Sequence, residues 1–135
     1  MPNKNRNRSF LSESNFSPIH PTNDIEIDFD RLEEVSLGEV ELKSELLVAL
    51  LEVIRLNLDA IKQAEAVNDY PTIAKCAHQL KGAAANVGVS SLQAIAMELE
   101  RQAKAENLSS ATDLIMALES QRLGIQSYVS TQLPQ

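Results

Sequence analysis

From Glu39 to Val67 the chain runs without glycine or proline, and Leu42, Leu46, Ala49, Val53, Leu56 and Ala60 recur at steps of three and four. That is the helical period, so this stretch predicts one long helix. On a wheel of about 100° per residue, Glu45, Glu52, Arg55, Asp59 and Lys62 fall within a sector of roughly 100°. Most of the remaining circumference is apolar. The helix is therefore expected to be touched on several sides within a bundle; a partner or dimer interface on part of it is the alternative.

The rest of the chain fits around such a helix. Hydrophobic residues make up 44% of the 135 residues but aromatics only 4%, with no Trp. A core resting on Leu, Ile, Val and Ala suits packed helices better than a sheet sandwich, and the length suffices for one domain with a single core. A short helix is expected at "DFDRLEEVS", capped by Asp28, with Phe29, Leu32 and Val35 on one face. "NDYP" interrupts the long helix, and the next runs from about 71 to 87, with Pro71 in its first turn and Gly88 at its left-handed end. Another follows, capped by Ser90 or Ser91, with Leu92, Ile95, Ala96, Leu99 and Ala103 on one face. The last covers about 109 to 131, with Ala111, Leu114, Ile115, Leu118, Ile125 and Val129 as its apolar positions. Short connections favour antiparallel neighbours, so the expected fold is all-α: an antiparallel up-down four-helix bundle with a short extra N-terminal helix. The bundle domain is expected over residues 25–135. Residues 1–24, rich in Asn, Ser and Pro and without sustained periodicity, read as a disordered tail.

Charge narrows the functional classes. The net charge is −7, yet residues 1–24 carry Lys4, Arg6 and Arg8 against Glu13 and Asp24. The remainder therefore stands at −8, a poor surface for nucleic acid or an anionic membrane. Cys76 stands alone, so there is no disulfide framework and a reducing cytoplasm fits. No secretory signal or 18-residue apolar segment is visible; Glu52, Arg55 and Asp59 interrupt the run from Leu46 to Ile61. The glycines are isolated at 38, 82, 88 and 124, so no phosphate loop is present and nucleotide-dependent chemistry is not expected.

The chemistry concentrates in "AHQLKGAAANVG", residues 77–88. With His78 at the origin of the wheel, Ile73, Cys76, Ala77, Leu80, Ala83, Ala84 and Val87 fall on the far side and form the core stripe. Ala74, Lys75, Lys81, Gly82 and Ala85 lie within about 60° of the histidine. His78 is thus expected at the surface, among small or cationic neighbours. No Asp or Glu occurs between Asp69 and Glu98, so an anion is expected there. A metal site needs three or four ligands, and His20 in the tail, His78 and Cys76 do not supply one. Cys76 lies about 160° from His78, which excludes a nucleophile–base pair on one helix. A lone exposed imidazole can still attack an activated phosphoryl group and carry it as phosphohistidine. Lys81 would neutralise charge on the phosphoryl oxygens, and Gly82 and Ala85 would leave room for a partner's active site.

The motif resembles that of the histidine-containing phosphotransfer (HPt) domains of two-component phosphorelays, in its His-x-Leu-Lys-Gly core, small residues, Asn86 and Gly88. The similarity extends through "DFDRLEEVSLGEVEL" before the bundle and "LQAIAMELE" after the motif, covering about residues 28–130. It implies that His78 exchanges a phosphoryl group with aspartates of receiver domains, in a hybrid histidine kinase or a response regulator. It further implies that Lys81 assists the phosphoryl group, that Gly82 permits close approach and that Gln79 contacts the phosphoryl group or the receiver. Lys75, Ala74 and Ala85 would share the receiver-binding surface. Receivers chelate their own magnesium, so no cofactor or metal is expected on this chain, and the protein is expected to be a carrier without kinase activity. One departure is that Ala83 and Ala84 stand where many relatives carry Ser, which weakens any role for hydroxyls there. A free-standing cytoplasmic monomer is expected. The alternatives are a receiver-docking bundle without phosphotransfer and a structural bundle that dimerises through residues 42–61.

Overall fold

The computed structural model describes residues 25–133. Among them are five helices: α1 (Phe29–Ser36), α2 (Val40–Ala66), α3 (Tyr70–Val87), α4 (Ser90–Lys104) and α5 (Ala111–Gln132). The expected tail, with His20, lies outside the described residues. Helix α2 packs on α3 and α5, α4 packs on the same two helices, and α1 lies against α2 and α3. The only pairing of extended backbone among the described residues is an isolated antiparallel bridge between Ile27 and Val89. No helix in this part of the chain is long and apolar enough to cross a membrane.

The helix ends follow local chemistry. Asp28 caps α1 by accepting from the Arg31 N–H, and Leu32 is buried as expected. Phe29 does not share that face: it is exposed, and its ring tilts against Tyr128 at 6.5 Å between centroids. Asp69 caps α3, accepting from the Thr72 N–H at 3.2 Å and from its hydroxyl at 2.7 Å, with Pro71 in the first turn where a missing N–H costs nothing. The cap expected at Ser90 or Ser91 is not formed. Val89 occupies the cap position, and the serine hydroxyls serve tertiary contacts instead: Ser90 donates to the Glu26 carbonyl, and Ser91 to Gln121 Oε1 at 2.7 Å.

The core runs through the four long helices. Leu47, Ile54 and Ile61 of α2, Ile73 and Leu80 of α3, Leu92 and Leu99 of α4, and Leu118 and Ile125 of α5 are all essentially sealed from solvent. Each such side chain contributes about 1.5–3 kcal/mol by leaving water. In α2 the buried stripe is Leu47, Leu50, Ile54, Asn57, Leu58, Ile61 and Ala64, not the one the sequence period suggested. Leu42, Leu46, Val53 and Ala60 are only half-buried, while Ala49 and Leu56 face solvent. The apolar arc of α2 is wide enough to hold two stripes, and contact with α3 and α5 selects between them.

Gly88 ties the N-terminal segment to the turn between α3 and α4. Its carbonyl accepts the Asp28 N–H at 2.7 Å, and its φ of 95° lies in the left-handed region. A Cβ there would stand 2.9 Å from the Asp28 carbonyl oxygen and 3.1 Å from Arg31 Cβ. Gly88→Ala is therefore expected to cost about 1–3 kcal/mol in a urea melt, from backbone strain together with the loosened N-terminal segment.

Candidate functional site

His78 sits midway along α3, between two turns that are anchored in the core by Ala77 and Leu80. Because the helix buries Ile73, Cys76, Ala77, Leu80, Ala84 and Val87, the opposite face must open to solvent, and the imidazole is 66% exposed. Lys75, Gln79 and Gly82 are exposed beside it, and Ala74 and Ala85 are half-buried on the flanks. The expected surface is thus assembled on one face of one helix. Ala83, expected in the core stripe, is half-buried instead, because it lies at the edge of the contact with neighbouring helices.

The stretch around His78 holds no acid in sequence, but in three dimensions an acidic side chain of another helix reaches this surface. Glu100 of α4 reaches it with a carboxylate only 7% exposed. Its Oε2 lies 3.0 Å from His78 Nδ1 and 3.1 Å from Lys104 Nζ, and its Oε1 lies 2.8 Å from Lys81 Nζ. The absence of acid along residues 70–97 concerns one stretch of chain; α4 supplies the anion from 22 residues further on. It also supplies a second cation, Lys104, and one turn before Glu100 the exposed side chain of Met97. Glu100 and Lys104 were missed by the sequence reading. The signal that could have found them is a carboxylate at the edge of the apolar stripe of α4, four residues ahead of a lysine, the spacing at which helical side chains pair.

Electrostatics explain how a nearly buried carboxylate is retained. The hydrogen bond from the Lys81 ammonium, aided by Lys104 and His78, outweighs desolvation and holds Glu100 from an ordinary 4.5 down to about 2. A carboxyl depressed in the folded state contributes stability that is complete above its unfolded value and is lost as pH falls through its folded value. Glu100→Gln should therefore be less stable than the wild-type chain at neutral pH, with the gap closing as pH falls from about 4.5 toward 2. Urea melts over that range would measure it. A gap independent of pH would mean that the cluster adds no charge-dependent stability.

The rest of the cluster offers little competing chemistry. Cys76 is a buried thiol whose pKa is raised by that burial, so it is a poor nucleophile. Among the described residues, no group of three or more His, Cys, Asp or Glu side chains is placed to hold a metal ion. His78 Nε2 has no hydrogen-bond partner among them, on a ring mostly open to solvent. The arrangement offers one imidazole nitrogen outward and cations on both sides of a buried carboxylate.

Comparison with known proteins locates this arrangement. The sequence model of the Hpt domain family matches residues 45–126, a span that includes His78, Lys81 and Glu100. Among solved structures, the fold is similar to that of histidine-containing phosphotransfer protein B (HptB) from Pseudomonas aeruginosa PAO1. The TM-score is 0.72 at 22% sequence identity, over 78% of this chain and 92% of that one. No curated protein sequence matches.

Proposed function

Since the chain belongs to the Hpt domain family, we propose that it is a phosphoryl carrier, accepting the group on His78 from the aspartyl phosphate of a receiver domain, or from a kinase, and passing it to the receiver of a response regulator. The observation that carries this reading is the exposed imidazole of His78, with Nδ1 engaged by Glu100 and Nε2 left without a partner among the described residues. In this reading one domain spans residues 25–135, its four long helices running alternately up and down. The protein acts in the cytoplasm as a monomer, without a cofactor or kinase activity of its own; magnesium belongs to the receiver.

The residues divide the work by position. Nε2 of His78 is the nucleophile. Lys81, one turn along α3, holds its ammonium on the same carboxylate that contacts His78, from where it neutralises charge on the phosphoryl oxygens. Gly82 and Ala85, with Ala74 at the flank, keep the approach to the ring low, and Lys75 and Gln79 meet the rim of the receiver. Lys75 makes no ion pair among the described residues, so its charge is available to an acidic partner.

Incubation with a phosphorylated receiver tests the reading. The chain should acquire label that acid removes and base leaves in place, the lability of phosphohistidine. A docking bundle without transfer would bind the receiver and stay unlabelled. Lys81→Ala should lower the single-turnover transfer rate about tenfold, equivalent to ~1.4 kcal/mol of lost transition-state stabilisation, with receiver affinity nearly unchanged. A tenfold fall in affinity at an unchanged rate would make Lys81 a docking residue instead.

A further inference from the structure

Packing against α3 and α5 turns much of the apolar surface of α2 inward and leaves Val48, Glu52, Arg55, Asp59, Lys62 and Ala66 exposed. On the helical wheel these six fall within a sector of roughly 80°, so they form one outward strip along the helix. Charge alternates along the strip, negative at Glu52, positive at Arg55, negative at Asp59 and positive at Lys62. The order is also symmetric about residue 57. Arg55 and Asp59 stand two residues to either side of it, Glu52 and Lys62 five, and Val48 and Ala66 nine. From this pattern we propose that the strip is a docking surface for a second copy of this chain, the two α2 helices lying antiparallel about a two-fold axis at the level of residue 57.

A two-fold interface brings residue i of one copy to residue j of the other, and j to i. In this register Arg55 meets the partner's Asp59 and Glu52 meets the partner's Lys62, each pair occurring twice. Val48, half exposed, meets the partner's Ala66 at either end of the seam. A parallel arrangement would instead set each charge against its like. Within one molecule the four charges are held only by exposed contacts: Arg55 lies 2.7 Å from Glu52 and 3.8 Å from Asp59, and Lys62 reaches Glu119 of α5 at 3.9 Å. Exposed pairs of this kind contribute little, so re-pairing them across the seam costs little. Glu65, whose carboxylate accepts from the Thr112 hydroxyl of α5 at 3.5 Å, stays off the seam.

Charge selects a copy of this chain over other occupants. Residues 25–135 carry −8, so two copies repel over much of their surface, whereas the four charges of the strip sum to zero. A uniformly acidic or basic partner would meet its like at every second charge; a copy reversed end for end does not. The contact is built on one helix, so it falls below about 1,200 Å² and the dimer is weak, with a dissociation constant on the order of 100 μM. The dilute chain is then a monomer, and it pairs where it is concentrated. His78, Lys81, Glu100 and Lys104 lie on α3 and α4, and among the described residues α2 makes no contact with α4. Both histidine faces therefore stay open in the pair, and pairing does not depend on the carrier reading.

Sedimentation velocity of the full chain, over concentrations from about 10 μM to about 1 mM, should show monomer passing into dimer, and added salt should shift it back. Arg55→Glu sets like charge against the partner's Asp59 and should weaken pairing at least tenfold. The double variant Arg55→Glu/Asp59→Arg restores opposite charges across the seam and should recover the dimer. The positions are exposed, so melting temperatures should stay close to wild type in both. Register is read by cross-linking. Chains carrying Val48→Cys and chains carrying Ala66→Cys should form a mixed disulfide under mild oxidation when combined. Neither should link to itself, since like positions stand roughly 27 Å apart in the antiparallel pair. Cys76 is buried and does not compete. A wild-type chain that stays monomeric throughout the series would overturn the pairing. So would a dimer that survives Arg55→Glu, which would place the second copy on another face, or a double variant that fails to recover. A chain that pairs as expected yet takes no phosphoryl group from any donor would instead overturn the carrier reading and leave the pairing standing.

Discussion

His78→Gln is expected to reduce phosphoryl acceptance from a receiver to background. Glutamine preserves polarity and approximate reach but has no nitrogen lone pair able to attack phosphorus. No other described group near the site can replace it. The lysines are cations, with Lys81 and Lys104 donating to Glu100, and the Cys76 thiol is buried with its pKa raised. Because the ring is mostly exposed and Glu100 keeps both lysines as partners, the substitution should change stability by no more than about 0.5 kcal/mol. A normal melt with no label would therefore separate lost chemistry from a lost fold. His20→Gln, outside the described residues, should retain full acceptance. Labelling of the His78 variant at the wild-type level would remove His78 from the reaction.

Substitutions at Gly82 are expected to separate stability from transfer. The residue lies one turn after His78, exposed, and a Cβ built on it meets nothing within 4 Å among the described residues. Nothing in the described part of the molecule needs the side chain to be absent. Glycine in an exposed helix interior costs roughly 1 kcal/mol relative to alanine, so Gly82→Ala should raise the melting temperature by a few degrees. If the empty space serves a receiver closing over the ring, alanine should slow receiver transfer mildly. Gly82→Leu should slow it roughly 100-fold, equivalent to about 2.7 kcal/mol of lost transition-state stabilisation. Phosphoramidate, needing less room, should phosphorylate the Leu variant at close to the wild-type rate. A Leu variant that took phosphoryl from a receiver as fast as the wild-type chain would show that close approach past residue 82 is not required.

Helical content was legible because the apolar period of each segment repeats at three and four over many residues, and because Asp28, Pro71 and Gly88 mark helix ends by local chemistry alone. The exposed face of α3 was legible for the same reason. Once six positions of an 18-residue helix are committed to the core, the direction of His78 follows from the helical pitch. The caps of α4 were misread because a serine hydroxyl can bond equally well to its own helix or to a neighbour. Ser90 and Ser91 bond to Glu26 and Gln121, more than 29 residues away in the chain.

What the sequence determined by itself was therefore whatever depends on neighbours a few residues apart: the helices, the ends marked by strong caps, and a histidine held at the surface beside Lys81 and Gly82. What only the tertiary structure decided depends on residues that meet across helices. The face of α2 that is buried was open in the sequence because Leu46 and Leu47, or Val53 and Ile54, are equally apolar, and only packing against α3 and α5 ranks them. Glu100 was open for a stronger reason. Periodicity within one helix cannot place a carboxylate of α4 against an imidazole of α3. That pairing is set by the register in which the two helices pack, and with it the charge facing His78.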